Sequence, residues 1–275
     1  MTYDAVGNII TRDGKTFTYN AANRLVSVDE NGQPLAIYQH NGKGERVSKT
    51  VYDGSTSTSS TTQFVYDLMG NIIAEANGTG TIQSEYVYLN GERLAIIDTA
   101  NAEIYYYHND HLSTPKALTD ETSTVVWQAD YTPFGELTEV VNLVEQPFRF
   151  PGQYFDSETG LHYNYFRDYD PSIGRYVQSD PIGLAGRINT YSYAESNAMR
   201  YMDPTGLVAW EGRVTGGAFL TAGMYVFTLT SECVDGERAH VRVVLVGPGL
   251  GFGARVSGSS GGVSLQDPYE VTIVR

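Results

Sequence analysis

Basic residues and cysteine are scarce in this chain. Only 18 of its 275 residues are Lys or Arg, against 32 Asp and Glu, which leaves a net charge of −14. A surface of that sign repels phosphate backbones, so the acidic part of the chain is not expected to bind nucleic acid. The single cysteine, Cys233, cannot close an internal disulfide, which excludes a scaffold stapled by oxidation. No apolar run approaches the ~18–20 residues that a helix needs to cross a bilayer, so no membrane span is expected. The opening residues, Met1 to Asn8, have neither a basic start nor an apolar core, and are not expected to act as a Sec-type signal peptide. Charged residues total 18%, too few for a coiled coil or a long-helix protein.

Tyrosine and glycine are plentiful, with 21 Tyr and 29 Gly. Tyr favours pleated, half-buried surfaces and Gly marks turns, so the expected class is all-β. The chain also repeats itself. Tyr3-Asp4-Ala5-Val6-Gly7-Asn8-Ile9-Ile10 returns as Tyr66-Asp67-Leu68-Met69-Gly70-Asn71-Ile72-Ile73, with a looser copy at Tyr19-Asn20-Ala21-Ala22-Asn23-Arg24-Leu25. Tyr3 to Tyr19 spans 16 residues, and Tyr66 to Tyr86 and Tyr86 to Tyr106 span 20 each. That period holds two strands and their turns, so each repeat reads as one hairpin. A lone hairpin cannot bury its own face, and the repeats must therefore stack into a continuous sheet. The Ser/Thr-rich run Gly54 to Thr62 reads as a flexible loop between repeats.

Composition shifts after about Asp130, where an aromatic-dense segment begins. It ends in two related turns, Asp180-Pro181-Ile182-Gly183-Leu184 and Asp203-Pro204-Thr205-Gly206-Leu207. Asp-Pro-x-Gly is a type I turn signature, and on the residues alone both aspartates are first of all turn residues. Brought together, however, two such carboxylates would share one proton, the ionised one activating water and the protonated one polarising a carbonyl. His108, Asp110 and His111 sit on a turn with no further ligand nearby, which reads as structure rather than a metal site. After Leu207 the style changes again, to 12 Gly, six acids, five Arg and no Lys in residues 208–275. Val226–Thr230 and His240–Val246 read as strands there, and Ala218 to Leu229 as an apolar stretch suited to a strand. Gly247 to Gly253 lacks the following helix that a phosphate loop needs.

The Tyr-Asp repeats, Tyr107-His108-Asn109-Asp110-His111-Leu112-Ser113-Thr114-Pro115, and Phe150-Pro151-Gly152-Gln153-Tyr154 through Leu207 together resemble the C-terminal end of an RHS/YD-repeat protein. That family includes bacterial polymorphic toxins, the C components of insecticidal toxin complexes and, more distantly, teneurins. The resemblance implies a curved, spiralling sheet of antiparallel hairpins, part of a shell that encapsulates a variable C-terminal effector. It implies YD repeats over 1–130, an RHS-associated core over 131–207, and a small β-rich C-terminal domain over 208–275. By the same resemblance Asp180 and Asp203 are catalytic carboxylates of an intramolecular aspartyl protease, Arg167 is a supporting cation, and the chain is cut between Leu207 and Val208. The family usually carries Pro where this chain has Ala198. No cofactor or metal is implied. Implied partners are the rest of a shell or a secretion-system component, and an immunity protein for the tail. The implied setting is interbacterial competition, with the protein in the bacterial cytoplasm before export, or secreted or at the cell surface by a non-Sec route. The alternative is a non-catalytic β-repeat module for surface or carbohydrate binding, or an inactive displaced gene end.

Overall fold

The computed structural model describes residues 1–54, 58–89, 91–185, 188–207 and 209, and then the backbone of four strands between 210 and 256. As the composition predicts, the chain is all-β. Fourteen strands, β1 (Thr2–Tyr3) to β14 (Leu137–Asn142), form one antiparallel sheet in which spatial order follows chain order, so every connection is a hairpin. β1 and β14 are its edges.

Local chemistry explains the repeat. In the first turn the Asp4 Oδ1 accepts the amides of Val6 (3.0 Å) and Asn8 (2.8 Å), and Gly7 turns through a φ of +93°. Asp67 does the same for Met69 and Asn71 at 2.8 and 2.9 Å. Tyrosines at several strand ends have a separate task. Tyr19 donates its hydroxyl to the Ile9 carbonyl (2.8 Å), Tyr66 to Arg46 (2.8 Å) and Tyr88 to Ile72 (3.0 Å). Each acceptor opens a strand just after an earlier turn, so the phenol latches one repeat to another while its half-buried ring packs against the core. Asn109 makes the same latch with an amide, donating to the Arg93 carbonyl at 3.0 Å.

One face of this sheet is apolar and is covered by the segment that follows it. A second sheet, β15 (Tyr154–Asp156), β16 (Leu161–Asn164), β17 (Arg167–Asp170) and β18 (Arg175–Tyr176), lies against that face. Edge-to-face pairs join the large sheet to β15 and to the segment leading into it, Phe64 with Tyr154 at 5.1 Å and Tyr86 with Phe148 at 4.7 Å. The turn edge is tied as well. Tyr191 donates to the Gly7 carbonyl (2.6 Å), Tyr165 to Lys43 (3.0 Å) and Tyr169 to Phe134 (2.6 Å).

Two features differ from the sequence reading. The Ser/Thr run is mostly strand, β7 (Thr58–Tyr66), because β-branched Thr pairs well on a pleat once β6 (Arg46–Asp53) offers an edge. The apolar stretch 218–229 divides between β20 (Trp210–Phe219) and β21 (Ala222–Val234), paired as a hairpin. Val226–Thr230 and His240–Val246 do fall in strands, β21 and β22 (Glu237–Val246). β20 pairs with β19 (Tyr201–Met202) through Tyr201–Glu211 and Met202–Trp210, so the tail starts as an extension of the segment before it. The run 271–274 and the Cys233 side chain lie outside the described residues.

A buried ion cluster pins the two sheets together. Arg46, 1% exposed, donates to both oxygens of Asp156 at 2.5 and 2.9 Å, and Lys49 reaches the same carboxylate at 3.1 Å. The Arg46 guanidinium also lies 4.2 Å from the Tyr163 ring centre. Burial alone would push the Asp156 carboxyl up, but the two cations hold it below its ordinary value. Removing one partner strands a charge in the interior. Arg46→Met is therefore expected to lower stability by about 3–5 kcal/mol, read as a lower urea midpoint, with a smaller loss for Lys49→Met.

Candidate active site

Three strands of the small sheet and two Asp-Pro turns converge on one arginine. The tight connection Tyr165-Phe166 joins β16 to β17, with Tyr165 at a φ of +54°, and puts Asn164 directly opposite Arg167. Cross-strand partners share a face, so both side chains point the same way. Tyr176 on the neighbouring β18 comes beneath Arg167, its ring centre 3.7 Å from the guanidinium carbon.

The Arg167 Nη2 lies 3.1 Å from Asp180 Oδ2 and 3.5 Å from Asp203 Oδ2. Its Nε donates to the Gly206 carbonyl (2.5 Å) and its Nη1 to the Thr190 carbonyl (3.0 Å). One guanidinium thus holds both Asp-Pro turns. The first closes as the sequence predicts, with the Gly183 amide on the Asp180 carbonyl at 2.9 Å. The second closes through the side chain, since Asp203 Oδ1 accepts the amides of Gly206 (2.8 Å) and Leu207 (3.0 Å). Asn164 Nδ2 supports it, donating to the Asp203 carbonyl (2.8 Å) and the Tyr176 hydroxyl (2.7 Å), while that hydroxyl donates to Asp203 Oδ2 (2.8 Å). Glycine is obligatory at two places. A Cβ on Gly206 would come 2.7 Å from the Asn164 carbonyl oxygen, and one on Gly152 would come 2.0 Å from that of Pro204.

All three ionisable groups are buried, Arg167 and Asp203 at 2% exposure and Asp180 at 8%. Burial pushes both carboxyls up, opposed in each by Arg167 and by backbone amides, and in Asp203 also by the Tyr176 hydroxyl. With both carboxyls ionised beside one cation, one negative charge would be uncompensated in the interior, which favours a proton on one of the two. That is the state needed to activate water with one group and polarise a carbonyl with the other.

The structure thus brings together Asp180, Asp203 and Arg167, and Leu207 through its amide; Val208 lies outside the described residues. Arg167 is in the interior rather than in a surface pair with Asp168 or Asp170. Sequence reasoning missed Asn164, Tyr176, Gly152 and Thr190. The hairpin spacing Asn164-x-x-Arg167 was a usable signal for the first; the others depend on long-range packing. His108 and His111 diverge, towards Thr119 Oγ1 (3.0 Å) and the Met199 carbonyl (3.2 Å), and Asp110 caps its own turn. Among the described residues no group of three or more His, Cys, Asp or Glu could hold a metal. Ala198 is buried in the Phe150–Tyr169–Tyr193 cluster.

Asp168, beside this site on β17, is fully enclosed. Burial pushes its carboxyl up to about 6, against the Gln178 amide that donates to it. A raised carboxyl favours the folded chain below its ordinary value of 3.8, and that contribution is lost as pH rises through about 6. Asp168→Asn is expected to remove this dependence, giving a smaller fall in Tm than the parent between about pH 4 and 6.5, measured by calorimetry.

The Teneurin YD-shell family model matches residues 1–199. Double-stranded DNA deaminase toxin A of Burkholderia cenocepacia is 35% identical over 241 residues, 74% of this chain and 16% of that protein. Toxin protein Tse5 of Pseudomonas aeruginosa is 31% identical over 243 residues, 75% of this chain and 18% of its own length. The tRNA nuclease WapA of Bacillus subtilis is 30% identical over 221 residues, 76% of this chain and 9% of its own. This chain therefore spans less than a fifth of each of these relatives. Among solved structures, that of TcdB2-TccC3 superposes with a TM-score of 0.61 at 21% identity, covering 74% of this chain and 11% of the other, a likeness of fold.

Proposed function

The chain belongs to the YD-shell family, and from that premise we propose that it is the C-terminal part of an RHS-type polymorphic toxin that cuts its own backbone between Leu207 and Val208. In this reading residues 1–130 are YD repeats of a larger shell, 131–207 the core that does the cutting, and 208–275 the effector to be released. The observation that carries it is the single guanidinium nitrogen of Arg167 within reach of both buried carboxylates, 3.1 Å from Asp180 and 3.5 Å from Asp203. The Leu207 amide is held on the second of them, beside the bond to be cut.

The chemistry is hydrolysis and balances without a cofactor. Water adds to the Leu207 carbonyl carbon as the ionised carboxylate takes one of its protons and the protonated carboxyl hydrogen-bonds to the developing oxyanion. The tetrahedral adduct collapses, the C–N bond breaks, and the Val208 nitrogen leaves with a proton, giving a Leu207 carboxylate and a Val208 amine. Arg167 keeps one carboxyl of the pair ionised. Its hydrogen bond to the Gly206 carbonyl fixes the turn that leads into the cut.

Further parts of the reading follow from the family. The outer sides of β1 and β14 are where further shell strands would add, with a secretion-system component as a second partner class and an immunity protein for the released tail. Among the described residues no helix is long and apolar enough to cross a membrane. Export by a non-Sec route, in interbacterial competition, fits the toxin relatives.

Intact-mass measurement of the purified chain is the test. Fragments of 207 and 68 residues are expected, co-migrating under native conditions because β19 and β20 remain paired across the cut. Asp180→Asn and Asp203→Asn are each expected to slow cleavage by at least a thousandfold while keeping the parent's β-sheet circular dichroism. An uncut parent, or an Asn variant cut at the parent's rate, overturns the proposal.

A further inference from the structure

Arg167 and Asp203 have one side chain in common that none of the chemistry above requires. Tyr176 is fully buried. Its ring lies 3.7 Å beneath the Arg167 guanidinium and its hydroxyl donates to Asp203 Oδ2 at 2.8 Å. The direction of that hydrogen bond is fixed from behind. Asn164 Nδ2 donates to the same phenol oxygen at 2.7 Å and anchors itself on the Asp203 carbonyl at 2.8 Å, so the hydroxyl proton is left to face the carboxylate.

The two aspartates are consequently unequal. Asp203 Oδ1 accepts the Gly206 and Leu207 amides, and its Oδ2 accepts Tyr176 and faces Arg167, so every acceptor position of an ionised carboxylate is in use. Among the described residues Asp180 has two donors, the Ile182 amide at 3.0 Å and Arg167 at 3.1 Å, and they leave it room for a proton. Resting on the autoproteolytic reading, we infer that Tyr176, oriented by Asn164, is a positioning residue that makes Asp203 the ionised member of the pair and leaves the shared proton on Asp180. The charged and titratable groups facing Asp203 are Arg167 from β17, Tyr176 from β18, Tyr193 from the segment before β19, and Asp180 across the guanidinium.

Tyr176→Phe isolates the effect, because it keeps the ring under Arg167 and removes only the donor. Losing a hydrogen bond to the ionised form raises the Asp203 carboxyl further. Cleavage is expected to slow by about ten- to a hundredfold, with the acid-side limb of its pH profile displaced to higher pH. A ring that merely packs would leave that limb in place. A second readout does not need cleavage: carboxyl carbon NMR titration of Asp203 in the full-length Asp180→Asn chain, with and without Tyr176→Phe, in which Asp203 is expected to titrate higher without the hydroxyl. Should Tyr176→Phe not fold, Asn164→Ser withdraws the support from the phenol without touching the ring, and the same upward displacement is expected. An Asp203 titration that stays put overturns the inference, whether or not the parent cuts itself. A parent that never cuts, but in which Asp203 moves as expected, sinks the autoproteolytic reading and leaves the Tyr176–Asp203 coupling standing.

Discussion

A long antiparallel meander is only as well defined as the register of its hairpins, and here register is held by phenol hydroxyls. Turn chemistry closes each hairpin locally, but a local turn cannot say where one hairpin sits against the next. The hydroxyls of Tyr19, Tyr66 and Tyr88 supply that information by reaching back to the carbonyls that open earlier strands, at Ile9, Arg46 and Ile72. The latch places an aromatic ring on the covered face of every repeat that uses it. In these repeats the apolar face and the register are therefore served by the same residue, a task phenylalanine could not perform.

A face built this way must be covered, and what covers it sets the position of the site. The small sheet is too short to be stable alone, with strands of two to four residues. It gains its order from the large one, through aromatic pairs and the buried Arg46–Asp156–Lys49 cluster. Ion pairs buried to this degree contribute little net stability against an apolar alternative, but they penalise any docking that leaves a charge alone. The seam is thereby fixed in one arrangement, and β17 and β18 carry Arg167 and Tyr176 to defined positions within it.

Much of this was legible in the sequence, for reasons that can be traced to individual residues. The repeat could be read because Asp4, Gly7, Asp67 and Gly70 act on their own neighbours, and local chemistry survives translation from sequence to structure. The Ser/Thr run at 58–62 was misread because its composition is loop-like and its strand exists by pairing, chiefly with β6, which no local feature announces. Asp180 and Asp203 were identified by motif, but their burial and their common partner were not. The distance from Arg167 to Asp203 in the chain is 36 residues, and contact across it depends on Gly152 and Gly206 allowing backbones to approach closely. Asn164 and Tyr176 escaped notice for the complementary reason. Each is ordinary in type, and becomes informative only when its hydrogen-bond partners are known.

The site itself is a modified repeat turn. Asp4, Asp67 and Asp110 each use one carboxylate oxygen to accept two backbone amides at a turn, and Asp203 does the same with Gly206 and Leu207. As a cap, Asp203 is no different from the others. The difference lies in its second oxygen, which in the repeats is free for a local asparagine or for solvent and here meets Tyr176 and Arg167 in the interior. Burying a capping aspartate opposite a second carboxylate turns a stabilising group into one whose charge depends on its neighbours. Few changes separate a repeat turn from a buried carboxylate pair of this kind. A glycine must admit a backbone, a tyrosine must carry a hydroxyl, and an arginine must be placed between two turns that would otherwise never meet.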